Sequence, residues 1–246
     1  MNYILFHVPH ASLKIPKSYW NICTKDANYI ANINIELCDY LTDKLLPNNC
    51  HKLIFKYSRL FCDVEKLKDD SKEIMSKKGM GVVYTKDYDD IVIAIPTKSH
   101  KTKIIKSYYD KHHSKLNKTV TEIIKKHNKC IIVDFHSYSD TMVKKLFNAT
   151  DNPDICIGVD AFYTDNNLIE LTIEHFKKYG YTVEINKPYS GTMIPNKFLN
   201  KKNQKLQSIM LEINKRCYLN TKEDYFKLKN CVNDYYKKIQ KIIIKN

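Results

Sequence analysis

The sequence predicts a layered α/β domain, and three observations support this prediction. Short apolar runs such as residues 130–135 have the length and composition of buried strands. Segments with apolar residues at helical spacing alternate with these runs along the chain, which is typical of an α/β layered domain. The 246 residues, 43% of them hydrophobic, are enough to bury one large core. We therefore expect a single domain over residues 1–246.

The first half of the chain predicts two helices and three strand-like segments. The strands are expected at residues 2–8, 51–57 and 60–64. The helices are expected where apolar side chains recur at helical spacing, at residues 25–46 and 99–128. Residues 66–81 are polar and lysine-rich, which indicates a mobile loop over a site.

The second half of the chain predicts four strands and two helices. The strands are expected at residues 130–135, 155–159, 181–185 and 206–213. A helix over residues 165–179 is ended by Gly180. The last helix starts near Thr221, because Thr221 and Asp224 have the spacing of a capping box.

The net charge of +14 raises the question of nucleic-acid binding. Of the 41 basic residues only Arg59 and Arg216 are arginine, and the lysines are spread over the whole chain. Base recognition depends on the planar fork of arginine, which lysine cannot imitate. We therefore expect no specific nucleic-acid partner, although weak attraction to polyanions is compatible with the charge.

The cysteines and the apolar runs indicate where the protein functions. None of the eight cysteines forms a C-x-x-C pair, which favours reduced thiols over a disulfide framework or a zinc ribbon. No apolar run approaches about 18 residues, so we expect no membrane span. The N-terminus has no basic region followed by a long apolar region, so we expect no signal peptide and a cytoplasmic location.

Two histidines lie at the ends of predicted strands, where open α/β sheets carry their catalytic and ligand-binding residues. His10 follows the first strand through Pro9, although a loop histidine on its own is more often an ordinary polar residue. His136 is the stronger candidate, because Asp134 lies two residues earlier on the same face of a strand. Burying an aspartate beside a histidine is costly unless the two pair or bind a cation.

Carboxylates in two further segments are candidates for chemistry. Glu212 lies in an apparent inner strand, where it either faces a polar cavity or pairs with Arg216 or a lysine. Asp63 and Glu65 share one face of an extended segment, four and six residues after Arg59. They are candidates for a metal ligand and an oxyanion stabiliser, whereas the spacing alone favours a surface salt-bridge cluster.

Three other histidines are compatible with packing roles. His112 falls on the apolar stripe of the long helix and His113 lies beside that stripe. The spacing leaves open which of them, if either, is functional. His7 lies within the first strand and is expected to be a core residue.

Six segments, in order, resemble motifs of the N-formylglutamate amidohydrolase family. They include a Pro-His opening motif, a Ser-Arg motif that continues to Asp-Val-Glu, and an Asp-x-His-Ser motif. Each motif alone is weak, but six in the right order are specific at the family level. The segments are residues 8–12, 58–66, 108–116, 134–137, 188–192 and 208–214.

The resemblance implies a carboxypeptidase-like α/β fold, a three-layer α/β/α arrangement with a mixed, largely parallel central sheet. It also implies one Zn²⁺ per chain, bound by His10, His136 and a carboxylate. Related zinc enzymes carry a glutamate three residues after the first histidine, where this chain has Leu13. Asp63 is therefore the expected third ligand, with Glu65 as the alternative.

The resemblance further implies hydrolysis of a C–N amide bond by activated water. Glu212 would be the general base, Arg59 would stabilise the oxyanion, and the aligned family histidine, His113, would assist substrate or oxyanion binding. The substrate is expected to be a small N-acyl amino acid, nominally N-formyl-L-glutamate. Its carboxylates would be bound by Lys66, Tyr189 and Arg216.

One departure from the family pattern limits the substrate prediction. Members that act on formylglutamate commonly carry asparagine and arginine where this chain has Glu65 and Lys66. Lysine is a point charge and does not bind a carboxylate in two-point geometry. Another N-acyl amino acid is therefore compatible with the sequence. The alternatives are a zinc peptidase or cell-wall amidase on the same scaffold, and a basic polyanion-binding protein without catalysis.

Overall fold

The computed structural model describes residues 2–201 and 205–242, which form two compact units. The first, called the sheet unit here, comprises Met1–Val8, Leu41–Leu53 and Leu116–Asn246. The second, called the loop-rich unit, comprises Pro9–Tyr40 and Ile54–Lys115. Organisation as a single domain over residues 1–246 stays a prediction.

A six-stranded sheet is the centre of the sheet unit. The order of its strands is β2-β1-β3-β6-β4-β5, in which non-consecutive neighbours show that the chain crosses over between strands. The strands are β1 (Ile4–Val8), β2 (His51–Ile54), β3 (Cys130–Tyr138), β4 (Ile155–Gly158), β5 (Val183–Ile185) and β6 (Leu206–Asn214). These bounds confirm six of the seven predicted strands, and those predicted at residues 51–57 and 181–185 are shorter than expected.

The sheet is mixed and largely parallel. β3 pairs in parallel with both β1 and β6, and β4 pairs in parallel with β5, whereas β4 and β6 are antiparallel. All residues of β1, β3 and β6 are buried, as expected for central strands covered on both faces. The carboxyl ends of these three strands lie at the same edge of the sheet. In open α/β sheets, ligand-binding and catalytic residues lie at this edge.

Helices cover both sides of the sheet, which confirms the predicted α/β fold class. The last helix begins as predicted, because the Thr221 side chain accepts a hydrogen bond from the Asp224 amide. Asp165 caps the helix that precedes Gly180 in the same way. The helices are α1 (Ala27–Leu37), α2 (Thr42–Leu45), α3 (Lys98–Ile104), α4 (Asp110–His127), α5 (Asp140–Phe147), α6 (Asn166–Lys178), α7 (Arg216–Leu219) and α8 (Lys222–Ile239).

The helix predicted at residues 25–46 is interrupted, so this prediction was wrong in its extent. α1 ends at Leu37, and Cys38 is already extended, with ψ at 142°. The next backbone N–H, that of Asp39, donates to the carbonyl of His10 instead of continuing the helix. Leu41 adopts a left-handed conformation with φ at 64°, after which α2 begins. A hydrogen bond to a distant segment therefore overrides the helical pattern.

The strand predicted at residues 60–64 is a turn. The Ser58 carbonyl accepts hydrogen bonds from the amides of Phe61 and Cys62, and its hydroxyl oxygen accepts from the Leu60 amide. These local bonds favour a helical turn over an extended strand. Phe61 then packs edge-on against the rings of Tyr19 and Tyr108, and its ring is tilted against that of Tyr57.

The long helix predicted at residues 99–128 is present but contains a π-helical turn. α3 and α4 are joined by the π-helical residues Ile105–Tyr109. Such turns often mark functional sites, because they shift the side chains that follow. The polar segment 66–81 contains one short 3₁₀ helix, Ile74–Lys78.

Two further features are the state of the cysteines and the character of the helices. All eight cysteines are free thiols. Within the described part of the chain, no helix combines the length and apolar character needed to cross a membrane.

Acidification is expected to destabilise the protein through His175, a fully buried residue of α6. Its Nε2–H donates to the carbonyl of Cys231, and burial lowers its pKa below 6.5. The unfolded chain therefore binds more protons, so stability is fully present above pH 6.5 and is lost as the pH falls. We expect His175→Gln, which keeps an N–H donor but does not titrate, to have a flatter urea-unfolding profile between pH 7 and 5. Identical profiles for the two proteins would contradict this.

Candidate active site

In the sheet unit, Asp134 and His136 lie on one face of β3, as predicted. The backbone alternates, so Phe135 points to the opposite face and packs edge-on against Phe6, with ring centroids 5.8 Å apart. On the polar face, Nε2 of His136 lies 3.2 Å from Oδ1 of Asp134. The His136 ring is therefore oriented by a carboxylate two residues earlier.

The Asp134 carboxylate is ionised, which fixes the proton positions around it. Burial alone would raise its pKa, but His136 and His7 lower it below the ordinary value of an aspartate. An ionised carboxylate only accepts hydrogen bonds, so the Nε2 of His136 must carry its proton. In the neutral ring the electron pair then lies on Nδ1, which is the nitrogen that would bind a metal ion.

Glu212 lies beside His136 in the sheet. The two residues are register partners in the parallel pairing of β3 with β6, so their side chains leave the same face. Glu212 is only 8% exposed. Arg216, one of the partners that the sequence left open, is bound to Asp140 and Asp154 instead.

In the loop-rich unit, three carboxylates surround the buried imidazole of His10. Nε2 of His10 lies 2.9 Å from Oδ1 of Asp63. On the other side of the ring, Nδ1 lies 3.7 Å from Oδ2 of Asp39 and 3.8 Å from Oε2 of Glu65. The structure thus brings His10 together with both carboxylates that the sequence singled out and with one that it did not.

Asp63 has its full set of hydrogen-bond donors. Beside His10, its Oδ1 accepts from the backbone N–H of Glu65 at 3.1 Å. Its Oδ2 accepts from Nε and Nη2 of Arg59 at 3.3 and 3.1 Å, and from the hydroxyl of Tyr84 at 3.0 Å. A carboxylate offers about four acceptor positions, and these five donors fill them. Asp63 is therefore placed to orient His10, and Glu65 is better placed to bind a metal.

The charges around His10 favour a cation. Burial raises the pKa of Asp63, but His10 and Arg59 hold it well below its ordinary value, so the carboxylate is ionised. The Nε2 of His10 then carries the proton, which leaves an electron pair on Nδ1 facing two carboxylate oxygens. Burial and Arg59 lower the pKa of His10, whereas Asp63 and Asp39 raise it, and the net direction is upward. The pocket thus stabilises positive charge, which an additional proton or a metal ion can supply.

These residues fit a zinc ion by their chemistry. Zinc prefers imidazole nitrogens and carboxylate oxygens, and its histidine ligands usually donate their other N–H to a carboxylate. His10 and His136 each show that second interaction, through Asp63 and Asp134 respectively.

His113 and Tyr109 support the segment from Asp63 to Lys66 by hydrogen bonds to its backbone carbonyls. Nε2 of His113 donates to the Val64 carbonyl at 2.7 Å, and the hydroxyl of Tyr109 donates to the Lys66 carbonyl at 2.8 Å. His113 is therefore engaged with backbone. His112 packs edge-on against Phe55, with centroids 5.3 Å apart. A direct contact of His113 or Lys66 with substrate stays a prediction.

Tyr189 and Arg216 lie in the sheet unit, and their surroundings differ from those expected of free substrate-binding groups. The ring of Tyr189 packs against Tyr138 and Phe147. The guanidinium of Arg216 pairs with Asp140 at 2.7 Å and with Asp154 at 3.0 Å. These two ion pairs neutralise Arg216, which favours a structural role for it.

The sequence analysis missed three residues of these clusters. Asp39 was assigned to a continuous helix, and Tyr84 lies in a segment without a periodic pattern. His7 was interpreted as a core residue, but its Nδ1 lies 2.8 Å from Oδ1 of Asp134. A polar residue within an otherwise apolar strand was the one signal that could have identified His7.

Comparison with known proteins gives one family and several similar folds. A model of the N-formylglutamate amidohydrolase family matches residues 3–219. The N-formylglutamate amidohydrolase of Ralstonia eutropha JMP134 is 16% identical with a TM-score of 0.83, covering 97% of this chain and 92% of that chain. A gene product of Agrobacterium tumefaciens is 17% identical with a TM-score of 0.69, covering 98% and 92% respectively. No curated protein matches the sequence. At these identities, the structural similarity shows the fold alone.

Proposed function

The chain belongs to the N-formylglutamate amidohydrolase family, and on that premise we propose that it is a zinc-dependent hydrolase of small N-acyl amino acids. The family supports a hydrolase acting on a small-molecule substrate. Zinc dependence and the catalytic roles below are our proposal. N-formyl-L-glutamate, cleaved to L-glutamate and formate, is the nominal substrate.

The proposed zinc ligands are His10, His136 and Glu65. The observation that carries this assignment is the pair of carboxylate-bound imidazoles, in which Asp63 and Asp134 each hold an Nε2–H. Glu65 is preferred to Asp63, because the oxygens of Asp63 already accept five hydrogen bonds. Zinc, when bound, supplies Lewis acidity and makes a water molecule more acidic.

The other proposed roles follow from the charges of the side chains. The Glu212 carboxylate accepts a proton from the attacking water and returns it to the nitrogen of the leaving amine. Arg59 holds Asp63 in its ionised form, and its positive charge favours the negative oxygen that develops on the substrate carbonyl. Lys66, half-buried beside Glu65 in the chain, is the proposed partner for a substrate carboxylate.

Two variants distinguish the roles of Glu65 and Asp63. We expect Glu65→Gln to abolish stoichiometric zinc binding with little change in thermal stability, since its side chain is partly exposed. Asp63→Asn is expected to weaken zinc binding by about 10–100-fold, as for other groups that orient ligands. It should also destabilise the fold, since Arg59 would lose its buried partner. Zinc titration and thermal unfolding of both variants test this, and the reverse order of zinc affinities would make Asp63 the ligand.

The proposed function is tested with the purified wild-type protein. Elemental analysis should find about one zinc per chain, and removal of zinc by a chelator should abolish hydrolysis in a way that added zinc reverses. A substrate panel should show formate release from N-formyl amino acids, including N-formyl-L-glutamate. Release of amino acids from peptides alone would instead indicate a peptidase or cell-wall amidase. Salt-dependent nucleic-acid binding without stoichiometric metal would favour a polyanion-binding protein.

A further inference from the structure

We propose that His7 is a positioning residue for the metal ligand His136 and acts through the carboxylate of Asp134. The inference rests on the proposed function, because it assigns His7 to the metal site described there. His7 lies in β1 and is fully buried. It has no role in the hydrolysis steps given above.

His7 and His136 bind the same carboxylate oxygen. Nδ1 of His7 lies 2.8 Å and Nε2 of His136 lies 3.2 Å from Oδ1 of Asp134. The other oxygen, Oδ2, accepts the backbone N–H of Met193 at 2.9 Å. Since the carboxylate is acceptor-only, both ring nitrogens are donors, and the three bonds fix the carboxylate in position and in plane.

The sheet register builds this arrangement. His7 and Asp134 are register partners in the parallel pairing of β1 with β3, so their side chains leave the same face. Asp134 and His136 share that face because they are two residues apart. The three side chains therefore form a row across two central strands whose positions are set by backbone hydrogen bonds.

Packing alone does not account for His7. The other residues of β1 are apolar, namely Ile4, Leu5, Phe6 and Val8, and an apolar residue at position 7 would be buried at lower cost. The buried His175 forms its hydrogen bond with a backbone carbonyl, that of Cys231. Through Nδ1, His7 binds the carboxylate oxygen that also holds His136.

Loss of the His7 donor should loosen His136. Without it, Oδ1 of Asp134 loses the shorter of its two histidine bonds, and the carboxylate can rotate until the bond to His136 is strained or lost. The His136 ring then no longer presents Nδ1 in one direction. Outer partners of ligand histidines typically contribute about 10–100-fold to metal affinity. His7 acts through one further residue, so we expect an effect near the lower end of this range.

The experiment measures zinc affinity, by competition with a chromophoric chelator, and the visible spectrum of the cobalt(II)-loaded protein. We expect His7→Leu and His7→Gln to bind zinc about tenfold more weakly and to change the cobalt spectrum. His7→Asn should recover most of the affinity, because its amide N–H branches from the chain where Nδ1 does. In glutamine the N–H is one atom farther away, so this variant tests donor position even if the leucine variant does not fold.

His175→Leu is the matched control, because it removes a buried histidine that binds a backbone carbonyl. It should lower thermal stability and leave zinc affinity and the cobalt spectrum unchanged. Wild-type affinity in His7→Gln would overturn the positioning role, and so would equal losses in His7→Asn and His7→Gln. A wild-type protein that binds no zinc would overturn the proposed function itself, which separates the two failures.

Discussion

The His136→Ala variant is expected to be purified with almost no zinc. His136 is a proposed ligand, and its removal takes away one of three protein donors. The loss should exceed the roughly 10–100-fold in affinity that outer partners of a ligand contribute. Elemental analysis after gel filtration should fall from about one zinc per chain to near zero. Hydrolysis should be lost together with the metal.

The buried His175 again offers a matched control for this variant. His175→Ala removes an imidazole of the same size from the same unit, from a position on α6. It should retain zinc even though it unfolds at a lower temperature. Full zinc occupancy in a folded His136→Ala protein would remove His136 from the ligand set.

The Glu212→Gln variant is expected to keep its zinc and lose most of its activity. Glutamine has the shape of glutamate but cannot accept the proton of the attacking water. General acid–base catalysis contributes about 10²–10⁴-fold, so kcat should fall within that range. Steady-state kinetics and elemental analysis on the same preparation separate loss of the base from loss of the metal.

Glu184→Gln is the control, because it removes the same charge from a residue outside the candidate site. Glu184 lies on β5, where its exposed side chain pairs with Lys187 at 3.2 Å. Exposed pairs of this kind contribute little to stability, so this variant should match the wild type. Wild-type kcat in Glu212→Gln would exclude Glu212 as the general base, whereas loss of zinc would indicate a ligand role instead.

Local patterns in the sequence were sufficient for the elements that hold the sheet together. The apolar run that ends in Asp134 and His136 predicted a buried strand with two polar residues on one face, and β3 has that arrangement. The capping spacing at Thr221 predicted the start of α8. These features depend on bonds and burial within a few residues, which a single sequence records directly.

Such local patterns could not predict which groups each carboxylate contacts. The spacing of Arg59, Asp63 and Glu65 by itself favoured a surface salt-bridge cluster. In the structure Asp63 is fully buried and receives donors from His10, Arg59 and Tyr84. Two of these donors are more than 20 residues away in the chain, so no local spacing reports them.

The sequence by itself determined the family, the α/β class and the candidate site residues His10, His136 and Glu212. Motifs and strand periodicity depend on residues that are close together in the chain, so one sequence is enough to recognise them. Only the tertiary structure decided what surrounds the two proposed ligand histidines. The helix stops at Leu37 because the Asp39 amide bonds to the His10 carbonyl, and His7 meets Asp134 because β1 and β3 are in register. Both are hydrogen bonds between residues far apart in the chain, and their free energy does not appear in any local pattern.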